Sequence, residues 1–592
     1  MYISQLHISK FRVFDDITLY FNKGINILIG ENNAGKTTII DALRICLGCG
    51  KPENNIYVQD SDLHINPADP SEVNSIIQFD LIFELGENPT ERQCFYDFLS
   101  QDQTDPSKQT IQLHLKFIQE DNGKKKYFKR IVWGGDNEGQ IVPYEALQEI
   151  FYTYLSPLRD AISCLRPYSY DNKTSQLFNQ LTKYDKEGVS IKLDKGKKNA
   201  LAKNLYSIFE NDALDWKHIL ATGKEKVNEH LDGTGITHKH PNIEMQYVGR
   251  KYSDVVRGIE LKCPIYTHIE DGQEQKYFEL YQNGLGENNL IFTSVVLGDL
   301  INRCEDNELE LYNALLAEEP EAHLHPQYQN TFFEYLNTLQ NKGLQVFITS
   351  HSPTITAKSD INNITVLQRN QINIKALSFG AIPIDDYPNE NRRHLRKFLD
   401  TTKAQLFFAN GVLLVEGIAE AIVLPLLSKK FLPEKKDLEK NGIELVNIGG
   451  VAFSHFGLLF NNDDENKRLL SRCAIITDSD PTAAALQSPR ALAAKALEKH
   501  NLKVCLAPHT FEHDLFEQSD RNKAVMREVY RKIHPQTADL KGDFNVSTLM
   551  EKLETNNDKA EFALQLYDRL VTEENFDVPD YIKDAILFVT PN

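Results

Sequence analysis

The sequence lacks several features that would place it in a specialised class of proteins. It has no run of about 18 apolar residues, so it predicts no transmembrane helix. Its first residues do not follow the basic-then-apolar layout of a signal peptide, and we therefore expect a cytoplasmic protein. Its formal net charge of −19 is unlike that of a protein that coats DNA through one broad basic face. Local patches still decide whether nucleic acid is bound.

Cysteines do not occur at metal-binding spacings. The eight cysteines are scattered, and Cys46 and Cys49 form a lone C-x-x-C without a second pair nearby. A structural zinc site needs four ligands, so this pattern does not predict one. With 592 residues the chain is too long for a single core, and we expect two or three domains.

The clearest positive feature is a glycine-rich loop between an apolar strand and a predicted helix. Backbone N–H groups of such a loop surround phosphates, while its lysine reaches the β and γ phosphates and its threonine ligates Mg²⁺. The pattern therefore predicts an ATP site. The loop matches G-x4-G-K-[ST] and comprises Gly30, Glu31, Asn32, Asn33, Ala34, Gly35, Lys36 and Thr37, followed by Thr38.

A second motif, much later in the chain, has the residue types that complete an ATP site. An apolar strand ends in Glu318 and Glu319, within the segment EEPEAHLHP. We expect Glu318 to join the Mg²⁺ shell and Glu319 to orient the attacking water. A further apolar strand leads into TSHSP, where His351 is positioned to sense the γ-phosphate. The alternative, an acidic helix cap, does not account for this histidine.

The order of these motifs resembles the ABC-type ATPases of the structural-maintenance and recombination-repair class: KFR at residues 10–12, then GENNAGKTT, EEPEAHLHP and TSHSP. The resemblance implies an ATPase split into two halves by an insertion. It also implies that two heads sandwich ATP, with a signature loop of one subunit capping the P-loop of the other. The matching loop here is NGLGENN, which contains Asn283, Gly284 and Gly286, and Asn283 stands where serine is usual.

After residue 410, acidic residues follow two predicted strands of a second βαβ series. Glu416 ends one apolar strand, with Glu420 about one helical turn later, and Asp478 and Asp480 follow the next-but-one strand. The carboxyl ends of parallel strands meet at one edge of a sheet, so we expect the four carboxylates to converge. Such carboxylates repel one another unless a cation holds them, which suits Mg²⁺ or Mn²⁺. The alternative is a set of surface acids on an ordinary α/β domain.

This pattern, an apolar strand ending in EGxxE and a later one ending in TDSD, is similar to the Toprim domain of topoisomerases, primases and certain nucleases. A split ABC ATPase followed by a Toprim domain resembles the OLD (overcoming lysogenization defect) family of ATP-dependent nucleases, including the Gabija-type and retron-associated phage-defence nucleases. The resemblance covers nearly the full chain. Its late segments here are TFEHDL at 510–515, DKAEFA at 558–563 and VPDYI at 578–582.

The resemblance implies an α/β protein with a split ABC-type ATPase head, a helical insertion, a Toprim domain with a Rossmann-like parallel sheet, and a helical C-terminal tail. The expected boundaries place the N-terminal half of the ATPase at 1–145, a helical and dimerising insertion at 146–260, the C-terminal half at 261–385, a linker at 386–408, the Toprim nuclease core at 409–515 and the helical part of the nuclease domain at 516–592.

The family also implies metal-dependent hydrolysis of phosphodiester bonds, which the residues make physically reasonable. In such a mechanism two metals would stabilise the attacking and leaving oxygens, and Lys559 would offset charge on the phosphate. The alternative for Lys559 is an ordinary surface lysine. ATP bound at the heads would gate DNA cleavage. The metal ligands implied by the family are Glu416, Glu420, Asp478, Asp480 and Glu512.

The leading hypothesis is therefore an ATP-regulated DNA endonuclease of antiviral defence that uses ATP and Mg²⁺ or Mn²⁺. Two alternatives stay open: a DNA-bound ATPase scaffold whose Toprim domain recruits a partner without cutting, and a topoisomerase-like transesterase that forms a tyrosine–DNA adduct. Expected partners are DNA, further copies of this chain in a dimer or tetramer, and a defence protein such as a helicase or a retron reverse transcriptase with its DNA. No membrane partner is expected.

Overall fold

The computed structural model describes most of the chain. The described residues are 1–51, 56–67, 69, 74–101, 108–123, 125–157, 161–169, 172–181, 195–207, 216–233, 251–265, 276–304, 310–340, 343–370, 373–433, 436–450, 452–481, 487–535, 544–556 and 558–590. They form two compact units. The first unit comprises residues 1–154, 311–321 and 326–592, and the second comprises residues 155–310 and 322–325.

The first unit begins with an antiparallel sheet. Its strands alternate buried and exposed side chains because one face of the sheet packs on the core and the other meets solvent. The strand order is β2-β1-β4-β6-β5, with β7 paired to β6. The strands are β1 (Tyr2–Phe11), β2 (Phe14–Tyr20), β4 (Ile76–Glu84), β5 (Leu99–Gln101), β6 (Gln109–Asp121) and β7 (Lys126–Gly134).

A second sheet of this unit has three central strands that are buried along their whole length. Central strands of parallel sheets are covered on both faces, which is why they read as continuous apolar runs rather than alternating ones. The order is β14-β13-β3-β12-β11-β8, and β3 pairs in parallel with both β12 and β13. The strands are β3 (Ile25–Gly30), β8 (Ile150–Leu155), β11 (Tyr312–Glu318), β12 (Gln345–Ser350), β13 (Ile364–Asn370) and β14 (Asn373–Ser378).

The third sheet of the first unit is entirely parallel, with the order β16-β15-β17-β18. Apolar residues of this sheet and of the C-terminal helices form one continuous core. The α-helix that ends the described chain packs on β17 and β18, so the tail closes the sheet. The strands are β15 (Gly411–Val415), β16 (Ile443–Asn447), β17 (Arg472–Asp478) and β18 (Leu502–Ala507).

The helices of the first unit pack against the strands and against one another. They are α1 (Lys36–Leu47), α2 (Pro89–Cys94), α3 (Tyr144–Gln148), α10 (Pro326–Leu339), α11 (Pro353–Lys358), α12 (Asn389–Phe398), α13 (Ile418–Phe431), α14 (Ser454–Gly457), α15 (Pro489–Lys495), α16 (Phe511–Glu517), α17 (Asp520–Ile533), α18 (Val546–Asn556), α19 (Lys559–Thr572) and α20 (Asp580–Val589).

The described residues of the second unit are mostly helical, as the polar and helical character of this region predicts. It also contains a two-stranded antiparallel ladder formed by β9 (Cys263–Pro264) and β10 (Tyr277–Phe278). Its helices are α4 (Ala161–Leu165), α5 (Lys173–Leu181), α6 (Lys195–Ser207), α7 (Trp216–Gly233), α8 (Tyr252–Arg257) and α9 (Leu285–Cys304). Across the described ranges of both units, no helix combines the length and apolarity needed to span a bilayer.

Two segments differ from the pattern expected from the sequence. Strand β8 lies at the edge of the second sheet, although the sequence suggested that the helical insertion begins at 146. The segment expected to be a linker, 386–408, contains α12 and a 3-10 helix at Lys403–Phe407. Leu395, Ala404 and Leu406 are buried there. Leu395 is the single apolar residue among the three buried side chains of α12, beside Asn391 and Arg392, so the composition of this segment did not indicate a packed helix.

On the antiparallel sheet, His7 forms an ion-pair network with two aspartates. His7 Nδ1 lies 2.8 Å from Asp80 Oδ2, and His7 Nε2 lies 2.9 Å from Asp16 Oδ2. The hydrogen bond with Asp80 raises the pKa of His7 to about 9, although burial acts against it. Because this value exceeds the unfolded value of 6.5, the resulting stabilisation is complete below about pH 6.5 and is lost as the pH rises through about 9.

We therefore expect His7→Gln to destabilise the protein more in mild acid than in mild base. Because solvent screens charges at this half-exposed site, we expect the free energy of unfolding to fall by only about 1 kcal/mol near pH 6. This loss should shrink towards zero near pH 10. Thermal unfolding of the two proteins at both pH values measures the difference. An equal loss at both values would contradict a contribution from the charged imidazole.

Candidate functional site

The loop after β3 contains backbone conformations that favour glycine and asparagine. Gly30 has a φ of +148°, and a Cβ there would lie 2.4 Å from the carbonyl oxygen of Leu367. Gly35 has a φ of +88°, and its Cβ would lie 2.4 Å from the ring of Phe14. Asn33 adopts a left-handed φ of 63°. This backbone turns the chain directly into α1, whose N-terminus favours anions. Of the other loop residues, Asn32 is exposed and Ala34 and Thr38 are buried.

Lys36, the first residue of α1, folds back over this loop. Its Nζ donates hydrogen bonds to the carbonyl oxygens of Gly30, at 2.9 Å, and Glu31, at 2.8 Å. Burial lowers the pKa of Lys36 to about 8, and the nearby carboxylates of Glu319 and Glu321 partly oppose this effect. The ammonium group is thus held inside the loop, where a phosphate would sit.

Glu318 ends β11 beside the start of α1. Thr37 Oγ1 donates a hydrogen bond to Glu318 Oε2 at 2.9 Å, and the hydroxyl of Tyr154 donates one to Glu318 Oε1 at 2.8 Å. Burial raises the pKa of Glu318, and the two hydrogen bonds act against that rise. The structure therefore brings together the two residues expected at the Mg²⁺ of ATP, together with a tyrosine that the sequence motifs did not indicate.

Glu319 and His351 approach each other at the ends of β11 and β12. Glu319 has a left-handed φ of 42°, and its N–H donates to the carbonyl oxygen of Thr349 at 3.0 Å. Its Oε1 lies 3.5 Å from His351 Nε2. Burial, with the charge of Lys36 as the next cause, lowers the pKa of His351. These residues meet in space as the sequence predicted, despite their separation along the chain.

Glu321 anchors the loop that carries His351. Its Oε1 accepts hydrogen bonds from Ser350 Oγ at 2.7 Å and from the N–H of His351 at 3.0 Å. Burial raises the pKa of the Glu321 carboxyl. Sequence reasoning gave this residue no role, and its only sequence signal was its place within EEPEAHLHP.

The candidate signature residues belong to the second unit. Asn283 precedes α9 and donates through Nδ2 to the sulfur of Cys263 at 3.1 Å. Gly284 has open space at the Cβ position, whereas a Cβ on Gly286 would lie 2.7 Å from the carbonyl oxygen of His323. Gly286 is therefore required for packing within this unit.

A second group of functional side chains lies at the carboxyl ends of β15 and β17. Glu416 follows β15, and its Oε2 accepts a hydrogen bond from Thr477 Oγ1 at 3.0 Å. Thr477 belongs to β17, which pairs in parallel with β15. The pair joins the two strand ends from which the predicted carboxylates project.

Mutual repulsion of carboxylates is visible in the pKa values at this sheet edge. Burial raises the pKa of Asp478 to about 8, and the charges of Glu420, Glu416, Glu512 and Asp480 raise it further. Five carboxylates therefore lie close enough to interact. Asp480, which adopts a left-handed φ of 44°, is exposed, whereas Glu512 is buried in α16.

Lys559, at the start of α19, reaches the same group. Burial raises the pKa of Glu420 to about 7, the charges of Glu512 and Glu416 add to the rise, and the charge of Lys559 acts against it. A lysine beside carboxylates is the arrangement expected for a group that offsets phosphate charge.

Asp514 and two histidines extend the cluster. Asp514 Oδ1 lies 3.1 Å from His513 Nδ1 and 3.3 Å from His509 Nδ1. Donor atoms of these three residues lie within 4.8 Å of one another, close enough to share a cation. Asp514 lies on α16 together with Glu512, and the charges of Asp514 and Asp478 both raise the pKa of Tyr581.

The donor set fits divalent cations that prefer oxygen. Carboxylates that raise one another's pKa values in the absence of a cation are stabilised when a cation neutralises them. Glu416, Glu420, Asp478, Asp480 and Glu512 supply these oxygens, which suit Mg²⁺ and Mn²⁺.

Comparison with known proteins agrees with this arrangement. Residues 1–356 match the family of AAA ATPase domains, and residues 407–480 match the family described as overcoming lysogenization defect protein-like, Toprim domain. The Endonuclease GajA of Bacillus cereus (strain HuB5-5) is 21% identical over 95% of this chain and 92% of its own length. The Old nuclease of Escherichia phage P2 is 23% identical over 80% of this chain and 78% of its own length.

Solved structures include the C-terminal region of the Burkholderia pseudomallei OLD protein. It is 19% identical and covers 31% of this chain and 97% of that chain, with a TM-score of 0.25. The two family matches follow each other along the chain in the order of the two sites described above. The chain therefore belongs to the family of AAA ATPase domains, and its residues 407–480 match the OLD-like Toprim domain.

Proposed function

We propose that this chain is an ATP-hydrolysing, metal-dependent DNA endonuclease of antiviral defence, in which the ATPase domain regulates cleavage at the Toprim domain. The observation that carries the proposal is the carboxylate cluster around Asp478, with Lys559 beside it. Its members come from separate elements, which is typical of a functional site rather than of scattered surface acids. The relatives named endonuclease and nuclease support the same chemistry.

At the nuclease site, Glu416, Glu420, Asp478, Asp480 and Glu512 would hold Mg²⁺ or Mn²⁺. When bound, the cations supply electrostatic stabilisation of the attacking and leaving oxygens of a phosphodiester. Thr477 fixes the carboxylate of Glu416 through its hydrogen bond. Lys559 places a positive charge where the phosphate gains negative charge.

At the ATPase site, Lys36 and the loop N–H groups would bind the phosphates of ATP. Thr37 and Glu318 already contact each other and would share the Mg²⁺ of the nucleotide. Glu319 would orient the attacking water as a general base, and His351, in contact with Glu319, would sense the γ-phosphate. Asn283, Gly284 and Gly286 of a second copy would cap the nucleotide, which makes self-association part of the proposal.

A short path of contacts inside the first unit supports regulation of one site by the other. Leu367 in β13 lies opposite Gly30, the first residue of the P-loop motif. The next residue, Gln368, accepts a hydrogen bond through Oε1 from the N–H of Leu470 at 2.5 Å. Leu470 lies just before the start of β17, and β17 ends at Asp478. A shift at the P-loop can thus reach a proposed metal ligand through packed and hydrogen-bonded elements.

We expect Gln368→Leu to weaken this coupling without removing either activity. The substitution keeps the side-chain volume but removes the acceptor of the Leu470 N–H. The ratio of cleavage rates with and without ATP should move about 2- to 30-fold closer to one, since single residues on such paths modulate coupling by about 0.5–2 kcal/mol. A matched control is Gln340→Leu, at an exposed position. An unchanged ratio in Gln368→Leu would rule out this path.

The direct test of the proposed function is plasmid cleavage by the purified full chain. Supercoiled plasmid is incubated with Mg²⁺ or Mn²⁺, without nucleotide and with ATP, ADP or a non-hydrolysable ATP analogue. We expect nicked or linear product with either cation and none with a chelator. Intact plasmid in every nucleotide state, with ATPase activity stimulated by DNA, would favour the scaffold alternative instead. A covalent protein–DNA adduct would favour the transesterase alternative.

A further inference from the structure

Tyr581 carries a buried hydroxyl group that the proposed function does not use. The residue as a whole is partly exposed, but its hydroxyl oxygen is buried. Within the part of the chain that the structure describes, this oxygen has no hydrogen-bond partner. Native proteins retain few such groups, and those that remain often serve catalysis or contact a bound ion or water.

The helix that carries Tyr581 packs against the strand that ends at Asp478. Tyr581 is the second residue of α20, and this helix packs on β17 and β18. Burial raises the pKa of Tyr581 well above its ordinary value, and the charges of Asp514, Asp478, Glu420 and Glu512 raise it further. The phenol therefore stays protonated at physiological pH and acts as a donor. Three of the four carboxylates are proposed metal ligands.

We infer that the hydroxyl of Tyr581 is a positioning donor of the nuclease site, which donates a hydrogen bond to a ligand carboxylate once a divalent cation is bound. The inference rests on the proposed function, because it requires cation binding at the carboxylate cluster. A cation draws the ligand carboxylates to one centre, and a donor on their far side then fixes which oxygen faces the cation. Such supporting hydrogen bonds set ligand orientation and hence affinity for the metal.

The buried position also argues against a reactive role for this tyrosine. An oxygen that solvent does not reach cannot attack a phosphodiester of bound DNA without a large rearrangement. The residue therefore acts through the carboxylates rather than on the substrate. In this respect Tyr581 differs from the tyrosine that a transesterase would require.

The variant Tyr581→Phe of the full chain tests this role, because it removes only the hydroxyl. Without metal, we expect its unfolding temperature to equal or exceed that of the wild type, since an unpartnered buried group is lost. Titration calorimetry should show that Mn²⁺ binds about tenfold more weakly than to the wild type. The rise in unfolding temperature produced by a fixed Mn²⁺ concentration should be correspondingly smaller.

The matched control is Tyr387→Phe, which removes a hydroxyl that donates to the carbonyl oxygen of His455 at 2.9 Å. This variant should lose stability with and without Mn²⁺ and keep wild-type Mn²⁺ affinity. Our inference is overturned if Tyr581→Phe binds Mn²⁺ within about twofold of the wild type, or if it loses stability without metal. Failure of the wild type itself to bind Mn²⁺ would instead overturn the proposed nuclease site.

Discussion

Replacing Glu416 with glutamine should reduce DNA cleavage by about a thousand-fold or more while leaving ATP hydrolysis intact. A neutral amide cannot replace a carboxylate as a metal ligand, and losing about 4 kcal/mol of transition-state stabilisation slows a reaction about a thousand-fold. The fold should survive, because the amide oxygen can still accept the hydrogen bond from Thr477. Rates of plasmid nicking, measured over a range of Mg²⁺ and Mn²⁺ concentrations, provide the comparison.

The matched control for this experiment is Glu444→Gln. Glu444 is another partly buried carboxylate, on the neighbouring strand β16, where it pairs with Val412 rather than with the strand ends. We expect this variant to cleave at the wild-type rate. If Glu416→Gln cut DNA as fast as Glu444→Gln does, the carboxylate cluster would not be the nuclease site.

Replacing Lys36 with methionine should abolish the response to ATP. The side chain keeps its aliphatic stem but loses the charge that is held among the carbonyl oxygens of the loop. Because one preorganised donor at a site of developing charge typically contributes 10²- to 10³-fold, ATP hydrolysis should fall by at least about 100-fold. Release of inorganic phosphate measures hydrolysis, and fluorescence titration with a labelled ATP analogue measures binding.

The variant Lys36→Met also tests whether ATP regulates DNA cleavage at the Toprim domain through the P-loop. Cleavage by Lys36→Met should proceed at a single rate that is independent of ATP, whichever direction the regulation takes in the wild type. The control is Lys23→Met, at an exposed position before β3, which should behave as wild type. Cleavage by Lys36→Met that still changed with ATP would mean that nucleotide acts somewhere other than the P-loop.

The motifs of this chain could be predicted from the sequence because each depends on residues that are close together along the chain. A glycine-rich loop must directly join β3 to α1, and the carboxylates must directly follow β11, β15 and β17. The motif residues therefore stand next to apolar strand segments in the sequence, and this spacing predicts both sites and their position at strand ends. The helices of the C-terminal tail were expected from the family resemblance, whereas α12 was not expected, because its buried face is short and surrounded by charge.

The contacts that complete the sites depended on tertiary structure. Tyr154 reaches Glu318, and Thr477 reaches Glu416, across long stretches of chain. Tyr581 approaches the carboxylates only because α20 folds back onto β17 and β18. The sequence around these residues does not predict such pairs, because the partners are far apart along the chain and meet only in the folded protein.

Residue types and their order thus determined which chemistry is proposed for each site: phosphate binding at one loop and cation binding at one sheet edge. Tertiary packing determined the pKa values of the side chains at each site. Burial and the fields of neighbouring charges raise the pKa of Asp478 to about 8 and lower that of Lys36 to about 8. Those effects depend on distance and exclusion of water, which exist only once separate segments have come together.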